Sequence, residues 1–186
     1  MDFNAKFADG LPYAGFLEKY GSPDQKQRWQ AVYDQVHLNN EQIQLLQGFV
    51  REMKVLVTAG AWCGDCVNQC PIFARFAEVN VKIQVRFFDR DDESELSQAL
   101  AICGAARVPS VLFLSEDGFP CGRYGDRTLS RYRQMAATQL GPACATGIVG
   151  ADDGSLKAVT QEWLDEFERI QWMLRMSGRL RTLHGD

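Results

Sequence analysis

Residues 61–71 read A-W-C-G-D-C-V-N-Q-C-P, so three of the six cysteines of the chain lie within eight consecutive positions. The apolar run Val55–Val57 precedes them and ends at Gly60, which is typical of a strand buried on both faces. A helical spacing of apolar residues follows Cys63 and continues to about Glu78. The stretch therefore predicts a central strand followed by a helix, with Cys63 at the turn between them.

The composition is that of an ordinary soluble globular protein. The 186 residues include 46% hydrophobic and 24% charged side chains, with a net charge of −4, which suits one hydrophobic core with extensions. No basic tract indicates nucleic acid or a membrane surface, and no stretch has the roughly 20 apolar residues of a membrane span. The first ten residues lack the cationic start and apolar run of a secretion signal, so we expect a cytoplasmic protein. Cytosolic cysteines are mostly catalytic or metal-binding rather than a framework of structural disulfides.

Three further segments have the patterns of strands. Val81–Phe87 alternates apolar and polar residues, as an edge strand with one solvated face does. Val111–Leu114 is continuous and apolar and so predicts a second central strand, which turns into a partner at Pro120–Tyr124. The sequence thus predicts a four-stranded mixed sheet with Val81–Phe87 at one edge and Pro120–Tyr124 at the other. An additional N-terminal strand on the first edge would contradict this arrangement.

Helical extensions flank this region. In the N-terminal part, residues 1–52, an aromatic arm is followed by one helix that starts after the cap Ser22 and by a second from near Asn40 to Phe49–Val50. The central domain is predicted at residues 53–140. The rest, residues 141–186, begins with a glycine-rich linker. A long helix from Leu156 to about Met176 follows, and its apolar stripe is predicted to pack on the domain or, alternatively, to form a homodimer contact.

The order of these predicted elements resembles that of a known protein fold. Residues 53–140 resemble a thioredoxin-fold protein, on the strength of W-C-G-D-C at Trp62–Cys66 and of Val108–Pro109 ahead of the third strand. With F-D-R-D and F-L-S-E-D-G added, the chain resembles the bacterial thioredoxin-family branch that has aspartate in place of the active-site proline. The resemblance implies an α/β, thioredoxin-like fold, to which the N-terminal helices and the long C-terminal helix are additions.

The dithiol predicts redox chemistry. Cys63 at the first turn of a helix meets unpaired backbone N–H groups and the positive end of the helix dipole, which favour a thiolate. Cys63 would attack a substrate disulfide and Cys66, the more buried thiol, would resolve the mixed disulfide. We therefore predict a thiol–disulfide oxidoreductase, acting as a disulfide reductase, with protein or small-molecule disulfides as substrates and an unidentified electron donor. It needs no cofactor beyond the Cys63–Cys66 disulfide. An inert structural dithiol is the alternative.

Substrate contacts are predicted beside the dithiol. The resemblance implies that Val108–Pro109 is a cis peptide facing Cys63, and X-Pro is where a cis bond is least unfavourable. The Val108 backbone is then available to pair with an extended substrate, and Trp62 and Gly64 complete the predicted contact surface. Alternatively, Pro109 only begins a strand and Trp62 belongs to the core.

Asp65 stands where the thioredoxin pattern has proline. A carboxylate between the cysteines opposes thiolate formation and can accept or relay a proton during resolution. An exposed aspartate at a helix start is the alternative interpretation. Thioredoxins also have a buried aspartate six residues before the first cysteine, and Val57 occupies that position here. Asp65, Thr58 or water are therefore the candidates for a general base.

Other interpretations concern the remaining cysteines and the extensions. C-x2-C-x3-C-P is also part of a ferredoxin cysteine run, so an iron–sulfur cluster or a zinc ion is an alternative, although the remaining ligands are missing and no metal is predicted. A non-catalytic adaptor protein with a redox-sensing dithiol is another alternative to an oxidoreductase. The other cysteines are predicted to be small buried hydrophobes, with a second resolving or a regulatory role as the alternative: Cys70, Cys103, Cys121 and Cys144.

Overall fold

Four strands form one mixed sheet in the computed structural model, which describes residues 1–139 and 156–185. The strands are β1 (Met53–Ala59), β2 (Ile83–Asp89), β3 (Ser110–Leu114) and β4 (Pro120–Gly125). They lie in the order β2-β1-β3-β4, with β2 parallel to β1 and with β3 antiparallel to both of its neighbours. The predicted sheet, with β1 and β3 at its centre, is confirmed.

Helices surround the sheet and account for most of the remaining described residues. They are α1 (Phe3–Asp9), α2 (Tyr13–Tyr20), α3 (Pro23–Gln35), α4 (Asn40–Gln47), α5 (Gly64–Val79), α6 (Ser94–Ala99), α7 (Leu129–Gln139), α8 (Leu156–Met176) and α9 (Gly178–His184). No helix among these residues is long and apolar enough to cross a membrane. The four-stranded sheet and these helices together form an α/β fold, as predicted.

The edge strand begins two residues later than predicted. Pairing with β1 starts at Ile83, opposite Met53, whereas Val81 lies in the preceding turn and is 84% exposed. The Asn80 side chain fixes this turn, because its Oδ1 accepts a hydrogen bond from the Lys82 backbone at 2.9 Å. The alternating pattern continued into the turn, so periodicity alone placed the start of the strand wrongly.

The first twenty residues are helical rather than an irregular arm. Helices α1 and α2 are too short to show a clear apolar period, yet each buries one aromatic side chain, Phe7 and Phe16 respectively. Between them, Leu11 exchanges two backbone hydrogen bonds with Phe87 of β2, at 3.0 and 2.8 Å. This single bridge does not make residues 1–52 a fifth strand, and β2 stays at the edge of the described sheet.

Helix boundaries follow local capping. Ser22 caps α3 and forms a reciprocal capping box with Gln25, as the sequence predicted for the start of this helix. The second N-terminal helix was predicted to reach Phe49–Val50, but α4 ends at Gln47 because Gly48 acts as its C-cap. Helix α6 ends at Ala99 and a short turn follows, with a bridge between Ile102 and Ala105.

Helix α8 packs on the same core as the sheet. The ring of Trp163 lies 4.5 Å from that of Phe73 on α5, and Phe167 contacts Phe76 and Phe113 at 5.1 Å in edge-to-face geometry. The predicted long helix and its buried stripe are confirmed. A contact with a second copy cannot use this stripe, because it is already covered by the protein's own core.

Some apolar residues of α8 lie outside this stripe and are exposed. Trp172 and Met176 are 58% and 70% exposed, whereas Leu180 on the following helix, α9, is buried. The region between α7 and α8, including Cys144 and the predicted linker, lies outside the described residues.

Candidate functional site

The dithiol lies where β1 leads into α5. Cys63 is the N-cap of the helix, and its backbone N–H donates to the Gly60 carbonyl at 3.0 Å. Its side chain is partly exposed, whereas Cys66, one turn into α5, is completely buried. All five cysteines in the described part of the chain are free thiols. One accessible and one buried thiol thus lie side by side.

Val108 and Pro109 face this pair from the start of β3. The Val108–Pro109 bond is cis, and the Cys63 thiol donates to the Val108 carbonyl oxygen with 3.6 Å between sulfur and oxygen. Val108 and Pro109 are both buried. The structure therefore brings together the two motifs that are 45 residues apart in the sequence.

Trp62 and Gly64 form the exposed side of the site. Trp62 is 45% exposed, and its ring covers Gly60, where an added Cβ would lie 2.7 Å from the indole. The Arg90 guanidinium lies over the outer face of the same ring, 4.4 Å from its centroid. Gly64 is exposed, with no heavy atom within 4 Å of the position of a Cβ. Trp62 is thus a surface ring, and the alternative that assigned it to the core is wrong.

The two thiols titrate as a pair. The hydrogen bond that Cys63 shares with Cys66, and next its partial burial, raise the pKa of the Cys63 thiol. The backbone N–H groups of Asp65 and Cys66 act in the opposite direction, as expected at a helix start. Burial also raises the pKa of the Cys66 thiol. The helix start is present as predicted, but its effect is outweighed, and the thiolate of Cys63 is not strongly favoured.

The raised pKa of Cys63 predicts how its rate of alkylation depends on pH. Only the thiolate reacts, and the pKa of Cys63 is raised. We therefore expect the alkylation rate to reach half its maximum at a pH above 8.5, which is about the pKa of a free cysteine. The rate would be followed by mass spectrometry of the peptide that contains Cys63, with iodoacetamide as reagent and a short cysteine peptide as control. A midpoint at or below neutral pH contradicts the expectation.

Asp65 is neither exposed nor free. Its carboxylate lies 2.6 Å from Arg127 Nη2 and 3.6 Å from Arg131 Nε, and the side chain is 14% exposed. Both arginines come from the segment after β4 and from α7, so Asp65 joins this part of the chain to the first turn of α5. The alternative interpretation of Asp65 as an exposed helix-start residue is wrong.

Neither Val57, at the position of the usual aspartate, nor Thr58 provides a free general base. Val57 is completely buried in β1. The Thr58 hydroxyl donates to the Ser110 carbonyl at 3.4 Å, across the β1–β3 pair. Thr58 therefore contributes to the sheet, and Asp65 and water remain the candidates for proton transfer.

A buried polar cluster behind the dithiol was not predicted. Asp126, which follows β4, accepts hydrogen bonds on its carboxylate from Arg107, Arg127 and Tyr132. The Gln69 side chain donates to the Asp126 carbonyl at 2.9 Å and accepts from the Trp163 indole at 2.9 Å. Arg107 is half-exposed and ion-paired with Asp126. A glutamine within the apolar pattern of α5 was the one signal of this cluster in the sequence.

The remaining cysteines occupy different environments. Cys70 is completely buried, as the prediction of a small core residue requires. Cys121 is half-buried and its thiol donates to the Phe119 carbonyl, whereas Cys103 is exposed, contrary to the prediction of a buried hydrophobe. Within residues 1–139 and 156–185, no group of three or more His, Cys, Asp or Glu side chains is arranged to hold a metal ion.

This geometry defines a class of protein. A mixed four-stranded sheet, a C-x-x-C motif at the start of the helix after the first central strand and a cis-proline turn facing it are the features of a thioredoxin fold. The thioredoxin family model, Thioredoxin_9, matches residues 10–138, and the chain belongs to the thioredoxin family. The match begins well before residue 53, so it includes the leading helices that the sequence resemblance left out.

Two solved structures have the same fold over nearly the whole chain. A protein of unknown function, PA1234 from Pseudomonas aeruginosa, has a TM-score of 0.68 and 20% sequence identity, and the match covers 91% of this chain and 97% of that one. An HIV epitope-scaffold has a TM-score of 0.62 and 18% identity, covering 100% and 99%. No curated protein matches the sequence significantly. At these identities the likeness shows the fold alone.

Proposed function

We propose that the protein is a thiol–disulfide oxidoreductase that acts as a disulfide reductase in the cytosol. One observation carries the proposal: the partly exposed Cys63 sulfur lies at the start of α5, 3.6 Å from the Val108 carbonyl, with the buried Cys66 thiol hydrogen-bonded to it. An inert pair of structural thiols does not need an accessible sulfur at a helix start.

The proposed reaction has two exchanges. The Cys63 thiolate attacks one sulfur of a substrate disulfide, so that a mixed disulfide forms and the first substrate thiolate leaves. Cys66 then loses its proton and attacks the Cys63 sulfur, which releases the second substrate thiolate and leaves a Cys63–Cys66 disulfide. Two electrons pass to the substrate, whose two sulfurs take up two protons. A thiol or dithiol donor returns the protein to its reduced form.

Substrate binding is proposed along the backbone of Val108 and over Trp62 and Gly64. An extended segment placed next to Val108 would bring its disulfide to Cys63, and the partly exposed Trp62 side chain offers an apolar contact beside the Arg90 guanidinium. Asp65 is proposed to accept or relay the proton of Cys66. Its ion pair with Arg127 holds it at the first turn of α5, close in the chain to that thiol.

An equilibrium redox titration tests this function. We expect one two-electron transition in defined thiol buffers, confined to Cys63 and Cys66, and detected by Trp62 fluorescence and by mass-tagged thiol counting. Metal content would be measured on the same sample. Absence of the transition, or its appearance only after removal of bound iron or zinc, would mean that the cysteines serve as structural thiols or ligands.

A non-catalytic adaptor is the second candidate, and the outer edge of α8 favours it. Trp172, Met173 and Met176 are exposed there, and Trp172 lines a groove of about 370 Å³ together with Phe49 and Val50. A homodimer would use this edge too. Truncation before α8 is a poor test, because it would remove core residues. Trp172→Ala is preferable, since loss of partner binding or of dimer mass in that variant, with disulfide reduction intact, would identify an adaptor surface.

A further inference from the structure

We propose that Asp126 is a positioning residue that sets the distance between the Val108–Pro109 turn and the dithiol. The proposal rests on the function proposed above. Asp126 lies one residue beyond β4 and its side chain is 4% exposed, so it does not contact substrate. Instead it contacts both walls of the site, which are the turn before β3 and the first two turns of α5.

The carboxylate holds the wall that contains Val108. Asp126 Oδ2 accepts a hydrogen bond from Arg107 Nη1 at 3.0 Å, and Arg107 directly precedes Val108. Tyr132 donates to the other carboxylate oxygen. A charge-assisted bond to the residue next to Val108 restrains how far the turn can move away from Cys63.

The backbone of Asp126 holds the wall that contains the dithiol. Its carbonyl accepts from Gln69 Nε2 at 2.9 Å, and the same Nε2 lies 3.1 Å from the Asp65 carbonyl. Gln69 is 1% exposed, and its Oε1 accepts from Trp163 on α8 at 2.9 Å. A fully paired amide in a buried site has little freedom to move, so the loop is fixed to α5.

Two further contacts of this segment reinforce the link. Arg127 forms ion pairs with the carboxylates of both Asp126 and Asp65, at 3.0 and 2.6 Å. Gly125 has φ = +141°, and an added Cβ would lie 2.4 Å from the Pro109 carbonyl oxygen, so this position requires glycine and packs directly on the turn. Residues 125–127 therefore contact both walls at once.

A comparison of two assays on Asp126→Asn and Arg107→Gln tests the proposal. Reduction of a peptide disulfide needs the Val108 backbone in place, whereas alkylation by iodoacetamide needs only the Cys63 thiolate. We expect kcat/KM for the peptide to fall about tenfold in each variant, as for loss of one charge-assisted hydrogen bond, with the alkylation rate changed less than about twofold. Because the Asp126–Arg107 contact is disturbed in both variants, the loss in the double variant should be smaller than the product of the two single losses.

Arg123→Gln is the matched control. Arg123 is an exposed arginine on β4 that donates to the Ala101 carbonyl rather than to Asp126, and its loss should leave both rates unchanged. Should Asp126→Asn fail to fold, Arg107→Gln decides, since Arg107 is 45% exposed. Unchanged peptide reduction in Arg107→Gln, or an equal loss in both assays, overturns the positioning role. A wild-type protein that reduces no peptide disulfide overturns the proposed function and this inference together.

Discussion

Cys63→Ser reduces disulfide exchange to the uncatalysed rate, and Cys66→Ser accumulates mixed disulfides with substrate; these are the results expected if the dithiol acts as proposed. A serine hydroxyl does not form the nucleophile at accessible pH, so the first exchange stops in Cys63→Ser. In Cys66→Ser, Cys63 still attacks, but the resolving thiol is missing. The mixed disulfide at Cys63 then persists until an external thiol attacks it.

Turnover of a fluorogenic peptide disulfide with excess dithiol donor measures the first effect, and mass spectrometry of the non-reduced protein detects the trapped adduct. Cys103→Ser is the control, because it removes an exposed thiol outside the site. Catalysed turnover in Cys63→Ser, or absence of the trapped adduct in Cys66→Ser, would contradict the proposed mechanism. Full biological function in Cys63→Ser, with loss in Trp172→Ala, would favour an adaptor.

Much of the fold was predictable because its signals are local. The continuous apolar runs identified β1 and β3, since strands buried on both faces have few polar residues. The apolar stripe likewise predicted the long helix α8, and Ser22 predicted the start of α3. Helices α1 and α2 were missed, because neither extends beyond about two turns and their aromatic residues follow no visible period.

The site was predictable only in part, for a related reason. W-C-G-D-C and Val108–Pro109 are short motifs whose meaning does not depend on the rest of the chain. The partners of Asp65 and Asp126 are set by the fold instead, since Arg127 is 62 positions from Asp65, and Gln69 is separated by 57 from Asp126 and by 94 from Trp163. Periodicity shows which face of an element is buried, but it does not show which two polar side chains meet there.

Trp163→Ala should destabilise the fold by about 3–5 kcal/mol, the usual loss on truncating a buried tryptophan. Trp163 is completely buried, and its ring lies 4.9 Å from that of Tyr124 in edge-to-face geometry. Its removal also leaves Gln69 Oε1 without its indole donor, which adds to the loss. Urea denaturation followed by circular dichroism would measure the change in the free energy of unfolding.

The same helix provides a matched control in Trp172→Ala, which we expect to change the free energy of unfolding by less than about 1 kcal/mol because Trp172 is 58% exposed. Trp163→Phe separates the two contributions of Trp163, since it keeps much of the ring volume and removes the N–H. Similar effects of Trp163→Ala and Trp172→Ala would mean that α8 is only loosely docked. A large difference means that α8 completes the core behind the dithiol. The helix that distinguishes this chain from a minimal thioredoxin fold would then stabilise the same Gln69 that holds the active-site turn.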